Sequence, residues 1–130
     1  MVGYTKMKNG IVLFAHGSRD RLWHKPMEAV ARQIEAMSPG WPVVCAFLEL
    51  STPDLAEATK SLLAMGAQRV TIVPMFLGVG RHAREDLPLL VDNLQVQYPN
   101  IQFVLKPAVG EDPRLVKILA EIALTDSIQT

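Results

Sequence analysis

Four short, predominantly apolar runs recur along the chain, from Ile11 to Ala15, Val43 to Leu48, Val70 to Val73 and Ile101 to Leu105. They lack the strict alternation of a strand with one wet face, and each is bounded by glycine, proline or polar residues. Strands buried on both faces have that character. Between the runs the apolar residues change period. Met27, Val30, Ala31, Ile34 and Met37 recur at helical spacing, as do Leu55, Ala58, Leu62 and Met65. Leu87, Leu90, Val91 and Leu94 form a third set, and Leu115, Ile118, Leu119 and Ile122 a fourth. Such stripes belong to helices that bury one side, and the second and fourth are expected to face inward.

The punctuation between these segments fits the same reading. Pro26 suits the first turn of a helix, and Ser38-Pro39-Gly40 ends it. Ser51-Thr52-Pro53 offers a capping hydroxyl followed by proline, and Gly66 closes that helix. The third run extends as far as Phe76, a glycine loop follows, and Asp86-Leu87-Pro88 marks the next helix start. That helix stops before Pro99, and Glu111-Asp112-Pro113 opens the last one. An alternation of strands and helices with no internal linker makes one domain over residues 1–130, with residues 1–9 as a flexible lead-in. The architecture it implies is a flavodoxin-like α/β lobe: a four-stranded parallel sheet with helices on both faces. Right-handed crossovers favour the strand order 2-1-3-4.

Bulk properties narrow the partners. Thirteen basic and thirteen acidic side chains cancel, so no net field draws the chain to nucleic acid or membrane. No apolar run nears the ~20 residues that span a bilayer. Cys45 is the single cysteine, so no intrachain disulfide forms and a reducing cytoplasm is the expected location. It reads as a small core residue, and the six methionines fall at core spacing or strand ends.

In the order 2-1-3-4 the winding reverses between strands one and three, and ligands of such sheets bind there, outside the carboxyl ends of the strands. His16 follows the first strand, His82 the third, and Glu49 the second, beside the first. Either histidine alone is as well read as structural or solvated. Two at adjacent strand ends point to a shared crevice where both imidazoles handle a metal ion, with Glu49 orienting a ring or accepting protons. His24, between Trp23 and Lys25, reads as a surface or supporting residue. Arg19, Arg21, Lys25, Arg81 and Arg84 cluster on the two histidine loops, where cations would hold carboxylates. Gly78 and Gly80 serve either an ordinary tight turn or a backbone that passes close to a flat ligand. They fit no G-x-G-x-x-G or Walker pattern.

Three segments, taken together, resemble the class II tetrapyrrole chelatases. They are Leu13-Phe14-Ala15-His16-Gly17-Ser18-Arg19-Asp20, then Ala46-Phe47-Leu48-Glu49 with Pro53, then Pro74-Met75-Phe76-Leu77 through Gly80, His82, Asp86 and Pro88. The short CbiX-type sirohydrochlorin chelatases are the nearest match, over about residues 10 to 124. The resemblance implies insertion of a divalent metal into sirohydrochlorin or a related tetrapyrrole. Cobalt is its first candidate, with ferrous iron and nickel as alternatives, and cobalamin or siroheme biosynthesis as the setting. It implies that His16 and His82 bind the metal and assist proton removal with Glu49. Ser18, Arg19, Gly78, Gly80, Arg81 and Arg84 would contact the pigment. The metal is substrate, and no permanent cofactor is implied. Longer members carry two such lobes, so a single lobe implies a homodimer.

Two other readings compete. His16-Gly17 matches part of the R-H-G motif of histidine phosphatases, but Ala15 stands where that chemistry needs arginine. A non-catalytic metal or tetrapyrrole carrier would use the same residues.

Overall fold

A computed structural model describes residues 8–126. Its strands are β1 (Asn9–Ala15), β2 (Val43–Phe47), β3 (Arg69–Pro74) and β4 (Gln102–Leu105), and its helices are α1 (Lys25–Met37), α2 (Leu55–Ala64), α3 (Arg81–Gln97) and α4 (Pro113–Leu124). Short 3-10 turns at Arg21–His24 and Val109–Glu111 lead into α1 and α4. All strand pairs are parallel and the order is β2-β1-β3-β4. This is the expected flavodoxin-like arrangement, with the winding reversed between β1 and β3.

One face of the sheet carries the main core. Val12, Phe14, Val70 and Ile72 point there and are at most 2% exposed, packed under Leu55, Ala58 and Leu62 of α2 and Ala83, Leu87, Val91 and Leu94 of α3. Burying one such aliphatic side chain contributes roughly 1.5–3 kcal/mol, so this layer dominates the stability of the lobe. The opposite face is covered less. Met27 of α1 is buried, but Val30 and Met37 are 36% and 73% exposed. No helix among the described residues is long and apolar enough to cross a membrane.

Several boundaries differ from those the sequence suggests, each for a local reason. The lead-in assigned to residues 1–9 falls largely outside the described residues, but its last part is structured. Asn9 opens β1, the Lys8 N–H donates to Gln68 Oε1, and Lys8 Nζ to Met65 O at 2.6 Å. Helix α2 is capped by Asp54, whose carboxylate accepts from the Glu57 N–H while Glu57 returns a bond to Asp54 N–H. This reciprocal capping box satisfies two otherwise unpaired donors, and Ser51 is used elsewhere. Met65, at the end of that helix, is 45% exposed rather than buried.

Helix α3 begins at Arg81, five residues before the expected Asp86. Gly80 is its extended N-cap, and the Arg84 N–H donates to Gly80 O. Ala83 supplies the added buried position, in phase with Leu87, Val91 and Leu94. Pro88 therefore lies inside the helix, on its exposed side. Leu90, which shares the helical spacing, is 37% exposed. The largest departure is α4, which has no buried residue at all. Ile118, Leu119 and Ile122, expected to face inward, are 52%, 39% and 65% exposed.

Candidate functional site

The carboxyl edge of the sheet is built by backbone bonds that continue past the strands. The Leu48 N–H donates to Ala15 O and the Glu49 N–H to His16 O at 3.0 Å. On the other side of β1 the Met75 N–H donates to Phe14 O at 2.8 Å. These bonds hold the His16 backbone between the segments that leave β2 and β3. Gly17 follows with φ +96°, a conformation that side chains resist. A Cβ there would also run into Glu49 O. Glycine is thus required for the two loops to lie this close.

His16 is exposed, with its ring 4.4 Å from that of Phe76 and inclined by 32°. Phe76 is buried and meets Phe14 edge-on at 6.3 Å. The platform under His16 is therefore rigid, while the outer face of the imidazole is open. No role for Phe76 was read from the sequence. The signal was available in the register, because pairing of Phe14 with Pro74, continued by two residues, sets Phe76 opposite His16.

His82 is the second residue of α3 and is also exposed. The sequence placed it in a loop. On the first helical turn it gains a fixed backbone and stands where unpaired N–H groups and the helix dipole favour negative charge. Glu49 is exposed beside His16 through its backbone bond. By the strand order, the three residues follow the carboxyl ends of β1, β2 and β3. Among the described residues, no three or more His, Cys, Asp or Glu side chains stand close enough together to hold a metal ion.

The expected ligand contacts divide into two groups. Ser18 and Arg19 line a pocket of about 430 Å³ with Arg21, His24, Glu28 and Ser51, and neither His16 nor His82 forms its wall. Ser51 organises this side. Its hydroxyl donates to Ser18 O at 2.6 Å and accepts from the Ser18 N–H at 3.2 Å. Since its one proton is committed to that carbonyl, His24 Nε2, at 3.1 Å, approaches it as a donor. His24 stacks on Phe47 at 4.5 Å and 19°, so it supports the loop. Cys45 lines the same pocket and is half-buried rather than deep in the core. Burial pushes its thiol pKa up, and Glu28 adds to the shift, which leaves it a poor thiolate ligand.

The second group is on α3. Arg81 forms an exposed ion pair with Glu85 at 3.5 Å, and Arg84 lines a small pocket of about 120 Å³ beside Glu111. A side chain at Gly78 or Gly80 would meet no atom within 4 Å, so nothing within the lobe demands glycine at either position.

Known proteins share the sequence pattern and the fold of this chain. The CbiX family model matches residues 10–125. A sirohydrochlorin cobaltochelatase of Sulfolobus acidocaldarius is 30% identical over 115 residues, spanning 88% of this chain and 89% of that one. A sirohydrochlorin cobaltochelatase of Methanothermobacter thermautotrophicus is 29% identical, over 89% and 91% of the two chains. Among solved structures, a cobalamin biosynthesis CbiX protein of Marinobacter aquaeolei superposes with a TM-score of 0.76 at 29% identity, covering 88% of this chain and 93% of the other. The sirohydrochlorin chelatase SirB of Bacillus subtilis, in complex with cobalt, gives a TM-score of 0.73 at 28% identity. There the match covers 88% of this chain but only 49% of SirB, so this lobe corresponds to about half of that protein. The chain belongs to the CbiX family.

Proposed function

We propose that this chain inserts a divalent metal ion into sirohydrochlorin or a closely related tetrapyrrole, with cobalt as the first candidate and ferrous iron or nickel as alternatives. The observation that carries the reading is the edge itself. An exposed His16 on an aromatic platform, a Glu49 backbone bonded to it, and His82 on the neighbouring helix start all lie at the reversal of the sheet. The names of the family's relatives support the substrate.

In this reading His82 is the main protein ligand of the incoming ion, and His16 is either a second ligand or a base. Imidazole is a borderline ligand that suits cobalt, iron and nickel. Two such donors without thiolate bind loosely enough for the ion to leave. As it enters the macrocycle, the two pyrrole N–H bonds break, their electron pairs bind the metal, and two protons depart. Glu49 and whichever imidazole is unligated accept those protons and pass them to water. No nucleotide is consumed. Arg19, Arg81 and Arg84 hold the carboxylates of the pigment, Ser18 adds a hydroxyl, and Gly78 and Gly80 leave room for its flat face. Because His16, Glu49 and His82 are all exposed, a second copy of the chain supplies the opposite wall as a homodimer. A cytoplasmic place in cobalamin or siroheme biosynthesis accompanies the reading.

The test is absorbance-monitored insertion of Co2+ or Fe2+ into sirohydrochlorin. The wild type should exceed the spontaneous rate, and His82→Ala should lose nearly all of that excess while keeping its fold. A wild type that binds pigment without accelerating insertion is a carrier, and full activity in His82→Ala would remove the proposed metal ligand.

A further inference from the structure

We propose that Leu50 is a pigment-binding residue, held in a left-handed backbone so that its side chain grips the apolar body of the tetrapyrrole beside a carboxylate arm. This rests on the metal-insertion reading above and adds a residue to that site. Leu50 has φ +64° and is the only non-glycine residue with positive φ among the described residues. A branched side chain seldom adopts that conformation. Such outliers gather at ligand clamps, where the surroundings over-determine them.

The constraint comes from the residues on either side. The Glu49 N–H donates to His16 O at 3.0 Å, and the Ser51 hydroxyl donates to Ser18 O at 2.6 Å. The segment after β2 is thus tied at residues 49 and 51 to the segment after β1, and Leu50 takes up the turn between the two ties. Gly17, on the facing segment, meets the same demand for positive φ with glycine. Leucine at position 50 therefore needs a further reason. Burial does not supply it, because Leu50 is 55% exposed and stands outside the core. What leucine provides, and glycine or asparagine would not, is an apolar surface next to Glu49.

Leu50 lines the pocket of about 430 Å³ together with Ser18, Arg19, Arg21, His24 and Thr52. Glu28 is the one carboxylate in the lining, against two arginines, so the balance of charge there is positive. An apolar wall among cations and hydroxyls matches a ligand that joins a flat apolar body to anionic arms. A tetrapyrrole with carboxylate arms is built that way. Arg19 and Arg21 receive one carboxylate, as guanidinium groups do well, while Leu50 covers the stem of the arm and the adjoining pyrrole edge. This polar lining suits such a ligand better than it suits the apolar centre of a subunit interface. Ser18 is two residues from His16 and Leu50 is next to Glu49, so the pocket adjoins the residues assigned to the chemistry.

The test compares Leu50→Asn with Leu50→Met in the full chain. Asparagine tolerates positive φ, so Leu50→Asn should keep or raise the thermal midpoint in circular dichroism. Its dissociation constant for metal-free sirohydrochlorin, titrated by absorbance, should rise about tenfold as the apolar contact is lost. Leu50→Met keeps the apolar bulk and should bind within about twofold of wild type. In cobalt insertion the Leu50→Asn defect should lie in KM, with kcat kept. A loss confined to kcat would mean that the residue only positions Glu49, and would overturn the proposal. A lowered midpoint in Leu50→Asn would mark the leucine as structural, with the same consequence. Unchanged pigment affinity with a weaker dimer in sedimentation would make it a subunit contact and refute pigment binding. Arg19→Ala combined with Leu50→Asn should weaken binding by less than the product of the single effects, because both act on one arm; the full product would refute the shared arm. Pigment binding is read without metal, so the two readings fail separately. Wild type that binds pigment without inserting cobalt, where Leu50→Asn weakens that binding, leaves the role of Leu50 standing and removes metal insertion. Wild type that inserts cobalt, where Leu50→Asn binds pigment as tightly, does the reverse.

Discussion

Gly17→Ala probes the contact on which the site is built, and its cost can be worked from the geometry. The residue sits at φ +96°, where an L side chain costs roughly 1–2 kcal/mol. The added Cβ would also overlap Glu49 O, so the Glu49 carbonyl must retreat by about 1.5 Å to reach ordinary van der Waals separation. Moving it stretches the bond from the Glu49 N–H to His16 O, for about 1 kcal/mol more. The expected loss is therefore about 2–3 kcal/mol in a urea melt, which leaves most of the protein folded if its stability is in the usual ~5–15 kcal/mol range. Activity should suffer more than stability. A shift of about 1 Å between positioned groups can cost on the order of 100-fold in rate, and the groups displaced here are His16 and Glu49. Gly78→Ala is the control, since a methyl there meets nothing within 4 Å and that residue has no positive φ. It should leave the melt unchanged and weaken pigment binding only if the ligand passes over that loop. A Gly17→Ala variant with wild-type midpoint and insertion rate would refute the reasoning that the two loops are clamped through this glycine.

Other outcomes follow from the same structure. Charge reversal at Arg84 should weaken pigment affinity at least several-fold while leaving Co2+ affinity unchanged in calorimetry, and equal losses in both would argue against a carboxylate-holding role. Ser51→Ala removes both partners of Ser18 and the contact to His24, and should cost about 1–3 kcal/mol in a denaturant melt. Leu62→Ala, at a fully buried core position, should cost about 2–5 kcal/mol. The side-chain bond from Arg114, followed by its backbone N–H, lowers the Asp112 pKa from 3.8 to about 2. A lowered folded-state value stabilises above the unfolded value, and that stability is lost as pH falls from 3.8 towards 2. Asp112→Asn should therefore flatten the acid limb of α4 unfolding in circular dichroism, and an unchanged limb would exclude this contribution.

The strand order and the shared edge were legible because both follow from rules that need no tertiary detail. Four apolar runs separated by helical periods leave few arrangements, and the reversal of winding then sets His16 and His82 on one edge. What was not legible depended on competition between neighbours. Ser51-Thr52-Pro53 suggests an earlier helix start, but Asp54 caps α2 through the Glu57 N–H while the Ser51 hydroxyl is bonded to Ser18 O. The start of α3 carries no Ser, Thr, Asp or Asn signal. Its position is set by Ala83 joining the buried stripe, a fact of packing that no local residue announces. The early start matters for chemistry, because it moves His82 from a loop onto a helical turn.

Helix α4 exposes a deeper limit of the same kind. The 3.6-residue period is local information. It states that Leu115, Ile118, Leu119 and Ile122 form one stripe, and the free energy of burying such a stripe states that something must cover it. Neither says which body supplies the cover. Within a single lobe the natural assumption is the lobe's own sheet, and there the expectation failed, since no residue of α4 is buried.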